Sequence, residues 1–239
     1  MHRKLILGVG LFLLVASLSA TPLGCNDPDL MTLQNYINLG TSGCTVGDKL
    51  FFGFFYVGTG AAPSASGIGV TSFSNGDLNQ GLRFGPFIVS SPADIGIGYN
   101  VMSLAGPTII GAGLSLAGAG GAGSWAAAVT EAACFGMTIT SATSCADSSS
   151  PTALLSAFVF PPSSSGIDST TFAPVGLMGL FKDITLVPGR GPMAVSFVDN
   201  DFDQVVVPEP VVVPEPATTA LVGAGLLVLT RVWKRRRSS

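Results

Sequence analysis

The sequence predicts an all-β fold, an antiparallel, jelly-roll-like β-sandwich, and three observations carry that expectation. Gly, Ser, Thr, Ala, Val and Phe dominate a body with little charge, turn residues recur roughly every ten positions, and apolar residues alternate with small ones over short runs. Ile95, Ile97 and Tyr99 are separated by Gly96 and Gly98, and Leu114 and Leu116 flank Ser115. A period of two sends one set of side chains to a buried face and the other to water.

Taken in order, the expected strands are 49–57, 67–74, 82–90, 95–102, 108–117, 126–134, 154–160, 179–187 and 193–202, each bounded by Gly, Pro or Ser. The run 124–133 (SWAAAVTEAA) is the weakest of these, because its alanines would also suit a helix. Only 29–37 has the spacing of a short amphipathic helix. Nine short strands with almost no helix favour two packed sheets.

The N-terminus reads differently. Arg3 and Lys4 precede an apolar stretch from Leu5 to Val15, and Ser17, Ser19 and Ala20 are small enough for a peptidase. This is the pattern of a secretory signal over 1–20, cleaved after Ser19 or Ala20 and handled by the Sec machinery and signal peptidase. Pro22-Leu-Gly-Cys25 is a poor lipoprotein box, and an acyl anchor there would duplicate the one at the other end of the chain. The expected organisation is a signal peptide at 1–20, a sandwich ectodomain at 21–204, a Pro-rich linker at 205–216, a transmembrane helix at 217–233 and a basic cytoplasmic tail at 234–239.

Charge is unevenly placed. Of 11 Lys and Arg, only Lys49, Arg83, Lys182 and Arg190 lie outside the two ends, whereas all 14 acids fall between positions 27 and 215. That balance of about −10 over the exported part argues against nucleic acid as a partner. His2 is the single histidine and lies in the signal, so the mature body lacks the commonest general base and metal ligand. Cys25, Cys44, Cys134 and Cys145 are an even set in a chain sent to an oxidising compartment, which favours disulfides over zinc. Of the three pairings, Cys25 with Cys44 and Cys134 with Cys145 close the shortest loops.

Three constellations resemble chemistry. Gly118-Ala-Gly120-Gly-Ala-Gly123 matches a dinucleotide-binding string, but no βαβ alternation surrounds it, and a flexible turn is the expectation. Asp199, Asp201 and Asp203 are weak calcium candidates; counting from Asp199, the EF-hand positions for Gly and Glu hold Gln204 and Pro210, so only a looser site is left. Ser and Thr are plentiful, yet there is no Gly-x-Ser-x-Gly elbow, and a serine would need Lys49 or Lys182 as base. Phe51, Phe52, Phe54, Phe55 and Tyr56 read as core and sheet surface before a sugar-stacking platform. No catalytic residue, cofactor or tight metal set is expected.

The tail is the specific feature. The apolar run 217–230 would span about 21 Å as a helix against a hydrocarbon core of about 30 Å, and it becomes a marginal fit only with Arg231 snorkelling and Trp233 at the interface. Arg231, Lys234, Arg235, Arg236 and Arg237 act as the stop-transfer cluster, leaving the body outside and the end in the cytoplasm. Prolines at 214 and 216 hold an extended backbone, and Glu215 stays out of lipid.

Pro214-Glu215-Pro216, the short Gly- and Leu-rich helix and the terminal Arg cluster together resemble the PEP-CTERM sorting signal of Gram-negative bacteria that export polysaccharide. The resemblance covers about 26 residues from Val213 and implies that an exosortase, a membrane-embedded cysteine protease, reads Pro214, Glu215 and Pro216 and releases or transfers the passenger. Pro208-Glu209-Pro210 is a second copy with no helix directly behind it. The same tail is also called an ice-binding-protein C-terminal motif, but Thr138-Ile-Thr140 is a single instance of what an ice-binding face repeats. The Cys25-x18-Cys44 opening with 36–40 (YINLG), 171–175 (TFAPV) and 181–184 (FKDI) is also similar to passengers of such proteins.

The expectation is a non-enzymatic exported protein, transiently anchored in the inner membrane and then delivered to the cell surface or extracellular matrix, where polysaccharide is a further partner. A carbohydrate- or calcium-binding module is the first alternative. A surface polysaccharide hydrolase, needing two carboxylates about 5 to 10 Å apart, is the second.

Overall fold

The computed structural model describes residues 22–75, 79–104, 106, 108–141, 145 and 152–205. The expected signal peptide, sorting motif, membrane helix and basic tail lie outside the described residues. Among the described residues, no helix is long and apolar enough to cross a membrane.

The chain order is β1 (Leu23–Gly24), α1 (Leu33–Asn38), β2 (Cys44–Val46), β3 (Lys49–Gly60), a 3-10 turn (Ala65–Gly67), β4 (Val70–Ser74), β5 (Asn79–Phe84), β6 (Phe87–Val89), β7 (Ala93–Ser103) and β8 (Ile109–Ala117), continued by β9 (Gly120–Gly121), β10 (Ala126–Phe135), β11 (Thr152–Val159), β12 (Ser165–Val175), β13 (Leu177–Val187), β14 (Met193–Val195) and β15 (Phe197–Gln204). A seven-stranded sheet runs β1-β2-β3-β7-β13-β10-β11 and a five-stranded sheet β12-β8-β15-β5-β4. A small sheet, β6-β14-β9, joins segments that continue β5, β15 and β8. Pairing is antiparallel except where β1 meets β2.

The two large sheets face each other across one core. Ile95, Ile97, Tyr99 and Val101 of β7 alternate inward, as do Leu180, Ile184 and Leu186 of β13, and they meet Leu82, Phe84, Leu114, Leu116, Val198 and Phe202. Phe51 lies 5.9 Å from Phe202 and Phe84 5.8 Å from Tyr99, ring centre to ring centre, so aromatic pairs cross the interface. Each such ring, fully buried, contributes on the order of 1.5–3 kcal/mol from area alone. The expected sandwich is therefore present.

Helix α1 starts where Thr32 accepts from the Asn35 backbone while the Asn35 side chain accepts from the Thr32 N–H, a capping box that satisfies two end donors. Its inward residues are Leu33 and Tyr36. The Tyr36 hydroxyl donates to the Cys25 carbonyl at 2.6 Å, and burial pushes its pKa up to about 12.

Differences from the expected elements have identifiable causes. The single strand expected over 82–90 is two, because Gly85-Pro86 interrupts it: Pro has no N–H to pair, and a Cβ on Gly85 (φ 141°) would sit 2.5 Å from the Ser196 carbonyl. The run 124–133 is strand rather than helix over Ala126–Phe135, since ladders to β11 and β13 on both sides override alanine's helix propensity. The strand Ser165–Val175 is unmarked in the sequence because it is an edge strand of the five-stranded sheet whose side chains are all exposed or half-buried. No apolar alternation marks it.

Candidate functional site

The cysteines are joined as Cys25–Cys44 and Cys134–Cys145. With its sulfur committed to Cys44, Cys25 has none left for an acyl anchor, as the poor lipoprotein box implied. The string 118–123 forms the turn from β8 through β9 toward β10, with Gly118 and Gly123 at φ 67° and 75°. No helix opens there to receive a pyrophosphate.

Asp199, Asp201 and Asp203 alternate along β15 and so share one side of it. Asp199 takes both Nε and Nη2 of Arg83 at 2.7 Å, and that guanidinium lies 3.8 Å over the Phe197 ring. Asn79 Nδ2 donates to Asp201 at 2.6 Å and to Asp203 at 2.9 Å. The carboxylates are thus engaged by Arg83 and Asn79. Among the described residues, no group of three or more His, Cys, Asp or Glu is placed to hold a metal ion. Pro214, Glu215, Pro216 and the stop-transfer cations Arg231, Lys234, Arg235, Arg236 and Arg237 lie outside the described residues.

The outward face of the seven-stranded sheet places Phe55, read above as sheet surface before a sugar-stacking platform, beside residues that the sequence did not single out. On β7 the outward positions beside Asp94 are Gly96 and Gly98, and neighbouring strands cover them with rings: a Cβ on Gly98 would meet Phe55 at 2.0 Å, and one on Gly96 would meet Phe181 at 2.9 Å. The two half-buried rings are nearly parallel, 8° apart, with centres at 6.0 Å. Beside them, Val57, Thr59, Asp94, Gly96, Phe181 and Asp183 line a groove of about 240 Å³. Desolvation, then the hydrogen bond and charge of Asp94, push the Asp183 carboxyl up to about 6. An apolar floor beside two carboxyls is suited to holding a polyhydroxylated ligand, with a sugar's C–H face on the rings and its hydroxyls donating to the acids.

A loop borders this face. Asn100, also outward on β7, accepts from the Ile139 N–H at 2.6 Å and donates to the Ile139 carbonyl at 3.1 Å. Ile139 rests on Gly179, where a Cβ would come within 2.8 Å of it. The Cys134–Cys145 bridge closes the same loop from β10.

A second cluster lies inside the sandwich. Lys182 and Glu131 are fully buried and paired, Asn200 and Tyr99 complete the set, and none of the four has measurable exposure to water. Lys182 Nζ donates to Glu131 Oε2, to Asn200 Oδ1 at 2.6 Å and to the Tyr99 hydroxyl at 3.2 Å. Asn200 Nδ2 donates to the Gly113 carbonyl at 2.8 Å and to Glu131 Oε1 at 3.1 Å, and the Tyr99 hydroxyl donates to Asn200 Oδ1. Burial pushes Glu131 up and Lys182 down, each partly offset by the other's charge, and burial with the nearby acids raises Tyr99 well above its usual range. The sequence carried a signal for this cluster: Glu131 and Lys182 both fall on the inward phase of otherwise apolar alternations, Val129-x-Glu131-x-Ala133 and Leu180-x-Lys182-x-Ile184.

A PEP-CTERM protein-sorting motif is present at residues 212–237. It marks the chain as an exported protein that an exosortase processes. No curated protein matches the chain in sequence. Among solved structures, the chain is similar to TmCBM61 in complex with beta-1,4-galactotriose, at 10% identity over 72% of this chain and 96% of that one with a TM-score of 0.33. It is also similar to a carbohydrate-binding module from the beta-sandwich super family, at 12% identity over 77% and 63% with a TM-score of 0.32. A third is the family 11 carbohydrate-binding module from Clostridium thermocellum, at 9% identity over 62% and 88% with a TM-score of 0.27. Likenesses of this size carry neither ligand nor activity to the chain.

Proposed function

We propose that this is a non-enzymatic protein of the cell surface or extracellular matrix of a Gram-negative bacterium, anchored briefly in the inner membrane by its C-terminal segment and then released by an exosortase. The observation that carries the reading is the sorting motif at 212–237, with Pro-Glu-Pro, apolar run and basic cluster in that order. A short apolar run suits a transient anchor, because it spans the hydrocarbon core only marginally. Mass spectrometry of the mature protein from its native host, with and without the exosortase, tests it. A C-terminus trimmed near 214–216 only when the exosortase is present is the expected result; an intact end at Ser239 in both strains would defeat the reading.

A second reading, that the ectodomain also binds glycan, is favoured by the outward groove. The parallel Phe55 and Phe181 rings, the flat glycine floor beneath them and the adjoining acids supply both halves of sugar recognition. The acidic body selects neutral over anionic polysaccharide. Retention on neutral polysaccharide that disappears in F55A/F181A with the fold intact is expected; equal retention of wild type and variant would remove this reading without touching the sorting proposal. A hydrolase, which needs two carboxyls about 5 to 10 Å apart around the scissile bond, draws no support from Asp94 and Asp183, whose carboxyls interact directly with each other.

A further inference from the structure

We propose that Lys182 and Asn200 become joined by an amide bond inside the sandwich, with Glu131 carrying the proton that the reaction moves. The inference rests on the core cluster alone and is independent of the sorting signal.

In water a lysine does not attack a carboxamide, for three reasons. The amine is protonated, the amide nitrogen is a poor leaving group, and the two rarely meet in a productive orientation. Each obstacle is addressed here by a named contact. Burial disfavours the ammonium form of Lys182 and the carboxylate form of Glu131, so the neutral amine and neutral acid are brought within reach of each other. Nζ lies 2.6 Å from Asn200 Oδ1; with a C=O bond of about 1.2 Å, Cγ is no more than about 3.8 Å from the attacking nitrogen. That approaches the contact distance of a near-attack geometry, held by packing rather than by chance encounter.

The polarity of the other contacts fits the reaction. The Tyr99 hydroxyl donates to Oδ1, the atom on which negative charge develops as the carbonyl becomes tetrahedral. Glu131 bridges the two nitrogens that exchange a proton: Oε2 receives the Lys182 bond, and Oε1 receives the bond from Nδ2, the group that must leave. Gly113 holds Nδ2 from the other side at 2.8 Å. Water, which would compete as nucleophile, is kept out by the surrounding rings of Phe84 and Tyr99, whose centres lie 5.8 Å and 4.8 Å from Nζ.

The balance closes without a cofactor. The lone pair of neutral Nζ forms a bond to Cγ, and the C=O pair moves to Oδ1 beside Tyr99. Nζ loses a proton to Glu131, and a proton passes from Glu131 to Nδ2. The carbonyl re-forms, the Cγ–Nδ2 bond breaks, and Nδ2 departs as ammonia. The product is a secondary amide, the chain is lighter by about 17 Da, and nothing is oxidised or reduced. Lys182 is on β13 of one sheet and Asn200 on β15 of the other, so the bond would staple the two layers together.

Intact protein, reduced, denatured and digested with trypsin, gives the test. The expected result is no cleavage after Lys182, with the peptide ending at Arg190 and the peptide beginning at Gly191 recovered as one branched species about 17 Da lighter than their sum. In E131Q, cleavage after Lys182 returns and both peptides have full mass. Wild-type protein cut after Lys182 into unmodified peptides overturns the proposal, whether or not E131Q folds. A loss of mass without branching, as a succinimide at Asn200 would give, overturns it as well. A branched peptide in E131Q removes the proton-carrying role of Glu131.

Discussion

Two of the four cations in the body, Lys49 and Lys182, have no exposure to water, an uncommon placement for lysine. Lys49 is bonded to Asp48, Gln80 and Gln204, and desolvation lowers its pKa while Asp48 opposes the shift. For Lys182 the consequence is measurable: K182M takes the Nζ partner away from buried Glu131 and Asn200 and should cost about 3–5 kcal/mol in a denaturant titration, whereas K182M/E131L should recover part of that loss. Asp183 gives a pH signature. Its folded pKa is raised to about 6, so its contribution favours the fold at low pH and is lost as pH rises through about 6. Wild type should therefore lose melting temperature between pH 4 and pH 7 relative to D183N, and parallel curves for the two proteins would contradict the assignment. Sequence reasoning named Lys49 and Lys182 as bases for a serine. Apart from Asp48 beside Lys49, their carboxylate and amide partners come from strands 18 to 155 positions away, which spacing alone does not reveal.

At the scale of elements, β7 shows how a strand serves two faces at once. Its odd positions 95, 97, 99 and 101 pack the core, and its glycines let Phe55 and Phe181 lie flat on the other side. G98A should displace Phe55, destabilise by about 1–3 kcal/mol through overpacking and open the groove; thermal melts and neutral-glycan retention would both register it. The loop after β10 is held twice, by the Cys134–Cys145 bridge and by Asn100. C134S/C145S should cost about 2–4 kcal/mol, and N100A should speed amide exchange at Ile139 while leaving the bridge intact. The strands that alternation marked clearly, such as those at 95–102, 108–117 and 179–187, are present within two or so residues of their expected ends. Ser165–Val175 and the short strands β1, β2 and β9 were not legible, because an exposed edge strand and a short ladder are defined by their neighbours and not by their own apolar pattern.

At the scale of the whole molecule, the core formed by the described residues runs from Cys25 to Phe202. Deleting 207–239 should therefore leave the melting temperature of the sandwich within a few degrees of the full chain while abolishing exosortase processing; a large loss of stability would show that the tail supports the fold. The sequence by itself determined the all-β class, the disulfide-permissive route of export and the sorting signal, because alternation, cysteine parity and a contiguous tail motif are properties of neighbouring residues. Only the tertiary structure decided what faces what. Phe55 and Phe181 form a platform because β3 and β13 both pair with β7, and Lys182 meets Glu131 and Asn200 because β13 lies beside β10 and across from β15. Such contacts follow from strand order and sheet packing, which no local pattern in the chain encodes.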